Sequence, residues 1–244
     1  RMQLPKQFLK LQGEKSLLDS TIDRLSPLAT PGDVLVITGV EHAQGEAYSS
    51  LQHYKTLLEP VGRNTAPAIA LAAAWLQVES AADPVMVVLP ADHIIKQADK
   101  FQQALQAAIQ AAESGHLVTF GIQPTRPDTG FGYIQADQQA QCDEGCYPVK
   151  QFTEKPDLEM AKQLVESGDY YWNSGMFVWK ASTILNEIEQ HLPEVYAVVQ
   201  KMVAQWQQGV EQQSVINQQF PEMPNISIDY GVLEKSQNVM LVPC

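Results

Sequence analysis

The sequence predicts an α/β domain of the doubly wound kind, and three observations predict it. Short apolar runs alternate with helical patterns through the first half of the chain. That order places mostly parallel strands in one sheet with helices packed on its faces. The segment Gly62-Arg-Asn-Thr65 sets a turn, a cation and polar cap candidates directly before an alanine-rich helix. A helix N-terminus offers unpaired N–H groups and a positive dipole end to an anion. Finally, a lone acid, Asp92, follows the apolar run Val85–Leu89 within Leu89-Pro-Ala-Asp-His93. Open α/β sheets bind ligands just past the carboxyl ends of their strands.

The elements follow in order. A helix is expected near Ser16–Arg24. The turn Thr30-Pro-Gly-Asp33 precedes a buried strand, Val34–Ile37. Ala66–Val78 reads as a helix, with Asn64 or Thr65 as its cap and Pro67 in the first turn, where a missing N–H does little harm. Val85–Leu89 is a buried strand. Phe101–Ser114 reads as a helix ended by Gly115, followed by the strand Leu117–Gly121. In the second half, Gly132–Gln135 and Val149–Phe152 read as strands joined by a polar loop, and Asp157–Glu166 as a helix after Pro156. Asn173–Trp179 reads as a strand leaving a tight turn, and helices fill much of Ala181–Gln208. The Gln-rich stretch 205–219 suits a surface helix or loop.

Bulk properties exclude several function classes. With 244 residues, 45% of them apolar, the chain is long enough for one large domain with a sizeable core. A net charge of −12 argues against non-specific nucleic-acid binding, which needs a basic surface. No run of 18 apolar residues is present, so no membrane span is expected. Of the three cysteines, Cys142 and Cys146 lie four apart without further Cys or His ligands, poor material for zinc. Free thiols are the expectation. The aromatic cluster Tyr170, Tyr171, Trp172, Phe177 and Trp179 has no basic interleaving, and is read as core.

The chain resembles the mannose-1-phosphate guanylyltransferases, a family of sugar nucleotidyltransferases. The resemblance rests on Pro5-Lys-Gln-Phe8, Gly62-Arg-Asn-Thr-Ala-Pro67, Pro90-Ala-Asp-His93, Thr129-Gly-Phe-Gly-Tyr133, Phe152-Thr-Glu-Lys-Pro156, Tyr171-Trp-Asn-Ser-Gly175 and Ser227-Ile-Asp-Tyr230. These segments are in the family's order and span nearly the whole chain. The resemblance implies a Rossmann-like three-layer α/β/α (GT-A-like) fold with a mixed, mostly parallel sheet. It implies one domain over residues 1–244, with nucleotide-binding elements at about 1–120 and sugar-binding elements at about 121–244. It also suggests truncation at both ends, because the family's Gly-rich loop precedes the Pro-Lys-Gln-Phe segment and a Gly-Trp-Ser-Asp segment carrying a second metal carboxylate follows. Such a fragment need not be active by itself. The implied reaction joins GTP to mannose 1-phosphate, giving GDP-mannose and pyrophosphate, with Mg²⁺ as cofactor in the cytoplasm. A related enzyme for another sugar or base, or a non-catalytic sugar-nucleotide-binding module, remains the alternative. Homo-oligomerisation is left open.

Each candidate residue carries an ordinary reading beside the functional one. Lys6 is either solvated or, as the resemblance implies, a cation on the phosphates. Glu59 suits acceptance of hydrogen bonds from a purine's N–H groups; Gly62, Arg63, Asn64 and Thr65 follow as nucleotide contacts, although Asn64 and Thr65 equally suit capping. Asp92 is either the Mg²⁺ ligand or the cap of the turn at His93. Gly132 and Tyr133 belong to the loop that the resemblance sets against the sugar. Glu154 suits sugar hydroxyls, Lys155 the sugar phosphate, and Asn173 a hydroxyl; an exposed Glu154–Lys155 pair would otherwise be worth little. Asp229 either supports the site from behind or caps a helix.

Overall fold

The computed structural model describes residues 15–43, 50–142 and 145–244. Lys6 and the Pro5–Phe8 segment lie outside the described residues.

Strand β1 (Leu35–Gly39) pairs in parallel with β2 (Lys55–Glu59), setting Gly39 opposite Glu59. Six further strands form one sheet: β3 (Val85–Val88), β4 (Leu117–Ile122), β5 (Gly132–Ala136), β6 (Tyr147–Glu154), β7 (Tyr170–Lys180) and β8 (Val239–Pro243), in the order β3-β7-β4-β8-β6-β5. The expected α/β class and mixed sheet are present, but the expectation of mostly parallel strands is corrected. Among the described residues only β1–β2 and β4–β8 run parallel. The 11-residue β7 runs antiparallel to β3, β4 and β5, and β6 runs antiparallel to β5 and β8. The strand–helix alternation of the first half reads as crossover connections, yet β7, from the second half, inserts between β3 and β4.

Side chains of the central strands alternate between two cores, as the period of an extended chain requires. Leu117, Phe177, Trp179, Val239 and Leu241 face one side, with Phe177 and Trp179 stacked at 5.2 Å between ring centroids. They pack against α2 (Thr65–Glu79), α5 (Ala181–His191), α6 (Pro193–Gln207) and α7 (Gln212–Gln219). Val118, Phe120, Met176, Val178, Met240 and Val242 face the other side, under α3 (Ala98–Glu113). Helix α2 carries apolar or small residues nearly all round, from Ala66 to Trp75, and is correspondingly buried. Two short helices complete the frame. In α1 (Leu17–Asp23), Ser16 and Asp19 form a reciprocal capping box; α4 (Leu158–Ser167) is capped by Asp157 and ends at Gly168 in the left-handed region. Cys142 and Cys146 are joined as a disulfide, which corrects the expectation of free thiols there, and Cys244 is the free cysteine among the described residues.

Candidate functional site

A cleft of about 490 Å³ opens where the start of α2 meets the end of β6, lined by Asn64, Thr65, Glu154, Lys155, Asn225, Ile226, Ser227, Asp229 and Tyr230. Its walls come from three distant parts of the chain. Two of its residues, Asn64 (φ 70°) and Lys155 (φ 47°), are non-glycine residues in the left-handed region. Such conformations cost about 1–3 kcal/mol each and persist where surrounding structure enforces them.

At the wall formed by the end of β6, Lys155 Nζ lies 2.8 Å from Glu154 Oε1; the Glu154 side chain is only 8% exposed, the Lys155 side chain 57%. The other carboxylate oxygen, Oε2, is buried without a hydrogen-bond partner among the described residues. Burial of an unpaired acceptor costs free energy, so the surrounding structure holds this oxygen in place at a cost. Gly132 lies opposite Glu154 in the β5–β6 ladder. A Cβ at Gly132 would fall onto Glu154 Oε2 and lie 3.2 Å from the Phe152 ring, so glycine leaves the room that the carboxylate occupies. Tyr133 departs from the expectation of a sugar contact. It is fully buried, and its hydroxyl donates to the Asp128 carbonyl and accepts from the Asp128 N–H, both at 2.9 Å. With no exposed surface, it supports the loop instead.

Asn173 joins this wall through Asp229, its Nδ2 donating to Asp229 Oδ1 at 2.8 Å. Asp229 opens a π-helical turn, Asp229–Leu233. Burial, then the nearby Glu154 charge, pushes its carboxyl up to about 6.

The residues around the start of α2 are arranged differently. Asn64 Oδ1 accepts from Thr65 N, and Ala66 N donates to the Ile226 carbonyl; Pro67 has no N–H. The N-terminus of α2 therefore keeps few free donors, which corrects the expectation of an open anion site there. The segment that closes it is stitched to residues 58–66 over its length. Gln213 accepts from Leu58 N and donates to Leu58 O, the Arg63 guanidinium donates to the Pro221 carbonyl at 2.6 Å, Ile226 N donates to Arg63 O, and Ile228 N donates to Thr65 Oγ1 at 2.8 Å. Arg63 thus serves as a brace, and Gly62 and Arg63 lie outside the cleft lining. Glu59 also lies outside it, at the end of β2; burial, then Glu41, pushes its carboxyl up to about 7.

Asp92 follows β3 in an exposed turn, its side chain 48% exposed and 3.9 Å from His93 Nε2. No hydrogen bond to its carboxylate occurs among the described residues, and no group of three His, Cys, Asp or Glu residues is gathered there. One solvent-open carboxylate fits magnesium, which takes one or two such ligands and fills its shell with water and phosphate oxygens. Behind Asp92, Arg24 donates to the His93 carbonyl at 2.9 Å, and Pro90 packs 3.8 Å from where a Cβ on Gly175 would stand. The structure therefore brings Asn64, Thr65, Gly132, Glu154, Lys155 and Asn173 together, and sets Glu59, Arg63 and Asp92 outside that group. Sequence reasoning misses Asn225, Ser227 and Tyr230 as lining residues; the Ser227-Ile-Asp-Tyr230 motif is the signal that points to two of them.

The family model described as nucleotidyl transferase matches residues 1–218. A putative mannose-1-phosphate guanylyltransferase of Vibrio cholerae is 43% identical over 97% of this chain and 51% of its own length. Mannose-1-phosphate guanylyltransferase RfbM of Salmonella typhimurium is 43% identical over 98% of this chain and 50% of its own length. The chain spans about half the length of these curated relatives. A solved structure described as a mannose-1-phosphate geranyltransferase from Thermus thermophilus superposes with a TM-score of 0.87 at 34% identity, covering 100% of this chain and 68% of that one. No helix among the described residues is long and apolar enough to cross a membrane.

Proposed function

We propose, for a chain that belongs to the nucleotidyl transferase family, that it transfers a guanylyl group from GTP to mannose 1-phosphate, giving GDP-mannose and pyrophosphate. The observation that carries this reading is the buried Glu154 carboxylate, one oxygen without a partner among the described residues and the other held by Lys155, in a cleft shared with the start of α2. A carboxylate suits sugar hydroxyls, and an adjacent ammonium suits a single phosphate. The names of the relatives support the same substrates.

In the proposed reaction a phosphate oxygen of the sugar phosphate bonds to the α-phosphorus of GTP as the bond from that phosphorus to the α–β bridging oxygen breaks. The attacking oxygen is already ionised at neutral pH, so no strong base is needed. Lys155 holds the sugar phosphate, Glu154 and Asn173 orient the hexose, and Lys6 neutralises phosphate charge. Positioning and charge neutralisation are the main demands of such a transfer. Asp92 would hold magnesium, which when bound adds positive charge at the triphosphate. The nucleotide and sugar halves, about 1–120 and 121–244, meet at the cleft in this reading, and cytoplasmic residence goes with nucleotide substrates.

Guanine selectivity tests the nucleotide half. Titration with GTP, ATP, UTP and dTTP should give tightest binding for GTP, with selectivity lost in Glu59→Ala. An ionised Glu59 accepts from the guanine N–H groups, so GTP affinity should rise as pH increases through about 7, by about tenfold between pH 6 and 8. Equal affinities for all four nucleotides, or a flat pH profile, would remove Glu59 from base recognition.

A further inference from the structure

Thr119 is fully buried in β4, beside the bulge that shifts register between Thr119 and Gly121 against β7. Its hydroxyl oxygen lies 3.2 Å from Asn173 Oδ1 and 3.3 Å from the Met176 carbonyl. Gly175 N, which can only donate, lies 3.1 Å from the same Asn173 Oδ1. That contact fixes which end of the Asn173 amide is oxygen. Thr119 has one proton to give, with Asn173 Oδ1 and the Met176 carbonyl both in reach as acceptors. With Oδ1 engaged by Gly175 and Thr119, the Asn173 NH₂ group is turned to Asp229 Oδ1, at 2.8 Å.

We propose that Thr119 is a positioning residue that, together with Gly175 N, holds the Asn173 amide in place and so keeps it donating to Asp229 beside Glu154 in the cleft. Asn173 then has one N–H left, so it can only donate to a ligand, whereas the Glu154 carboxylate, whose Oε2 has no partner among the described residues, can only accept. A ligand hydroxyl meets both demands; this last step rests on the sugar-phosphate reading above. The charged and titratable groups around Asp229 are Glu154 and Lys155 at the end of β6, Tyr230 on its own turn, and Glu234 near Glu154. The Asn173 hydrogen bond favours ionised Asp229, and loosening it moves the Asp229 titration to higher pH.

The test follows the Asp229 carboxyl carbon by NMR through a pH titration of the ligand-free protein, with the signal assigned by Asp229→Asn. Thr119→Val keeps the shape and removes the hydroxyl. It should raise the Asp229 midpoint by about half a unit or more, and Thr119→Ser should restore it. In the valine variant KM for mannose 1-phosphate should rise severalfold with KM for GTP unchanged. Thr119→Ala repeats the measurement if the valine variant does not fold. An unmoved Asp229 midpoint in a folded variant overturns the proposal. A moved midpoint with no response to mannose 1-phosphate keeps the positioning role and rejects the sugar assignment.

Discussion

Replacing Asp92 by asparagine should lower nucleotidyl transfer by about two to three orders of magnitude while leaving the fold intact. The side chain is half exposed in a turn, 3.9 Å from His93 and without a hydrogen bond among the described residues, so little packing depends on its charge. Asparagine keeps the shape and removes the charge that a hard cation requires. A magnesium titration of the rate, with manganese binding followed by electron paramagnetic resonance, separates the possibilities. Weakened metal binding with a native melting temperature is expected. Unchanged rate and metal dependence would leave Asp92 as a turn residue.

Glu154→Ala should weaken mannose 1-phosphate by about tenfold or more and leave GTP nearly unaffected. Loss of a buried hydrogen-bond partner costs about 1–3 kcal/mol, and each 1.4 kcal/mol is about tenfold in affinity. The substitution also leaves Lys155 without the carboxylate now 2.8 Å from its ammonium. Isothermal titration with each substrate checks the split. Equal weakening of both substrates, or of neither, would detach this segment from the sugar.

Much of the architecture is legible in the sequence because it rests on local signals. The α2 helix is expected at 66–78 and found at Thr65–Glu79, with Asn64 as its cap; Asp157 and Gly168 likewise bound α4. Strand direction is not legible. It depends on β7 inserting between β3 and β4, a pairing between residues about ninety apart in sequence and set by no local propensity. The β2 and β8 strands are not anticipated either. For the site, the short motifs bring Gly132, Glu154 and Asn173 to one wall, since the β5–β6 ladder and the Asn173–Asp229 hydrogen bond join them. The closing of the α2 N-terminus is hidden, because Ile226 and Ile228 act there through backbone groups that no side-chain pattern reveals. Tyr133 misleads for the complementary reason: its place beside Gly132 suggests the ligand, but alternation along β5 turns it into the core.

The most direct measurement of guanylyl transfer incubates the full-length protein with equal concentrations of GTP, ATP, UTP and dTTP, mannose 1-phosphate and magnesium, and identifies nucleotide sugars by mass spectrometry. GDP-mannose is expected as the dominant nucleotide sugar, with equimolar pyrophosphate. A different nucleotide sugar as the main product, or none while the protein is folded and binds GTP, would contradict the proposed reaction.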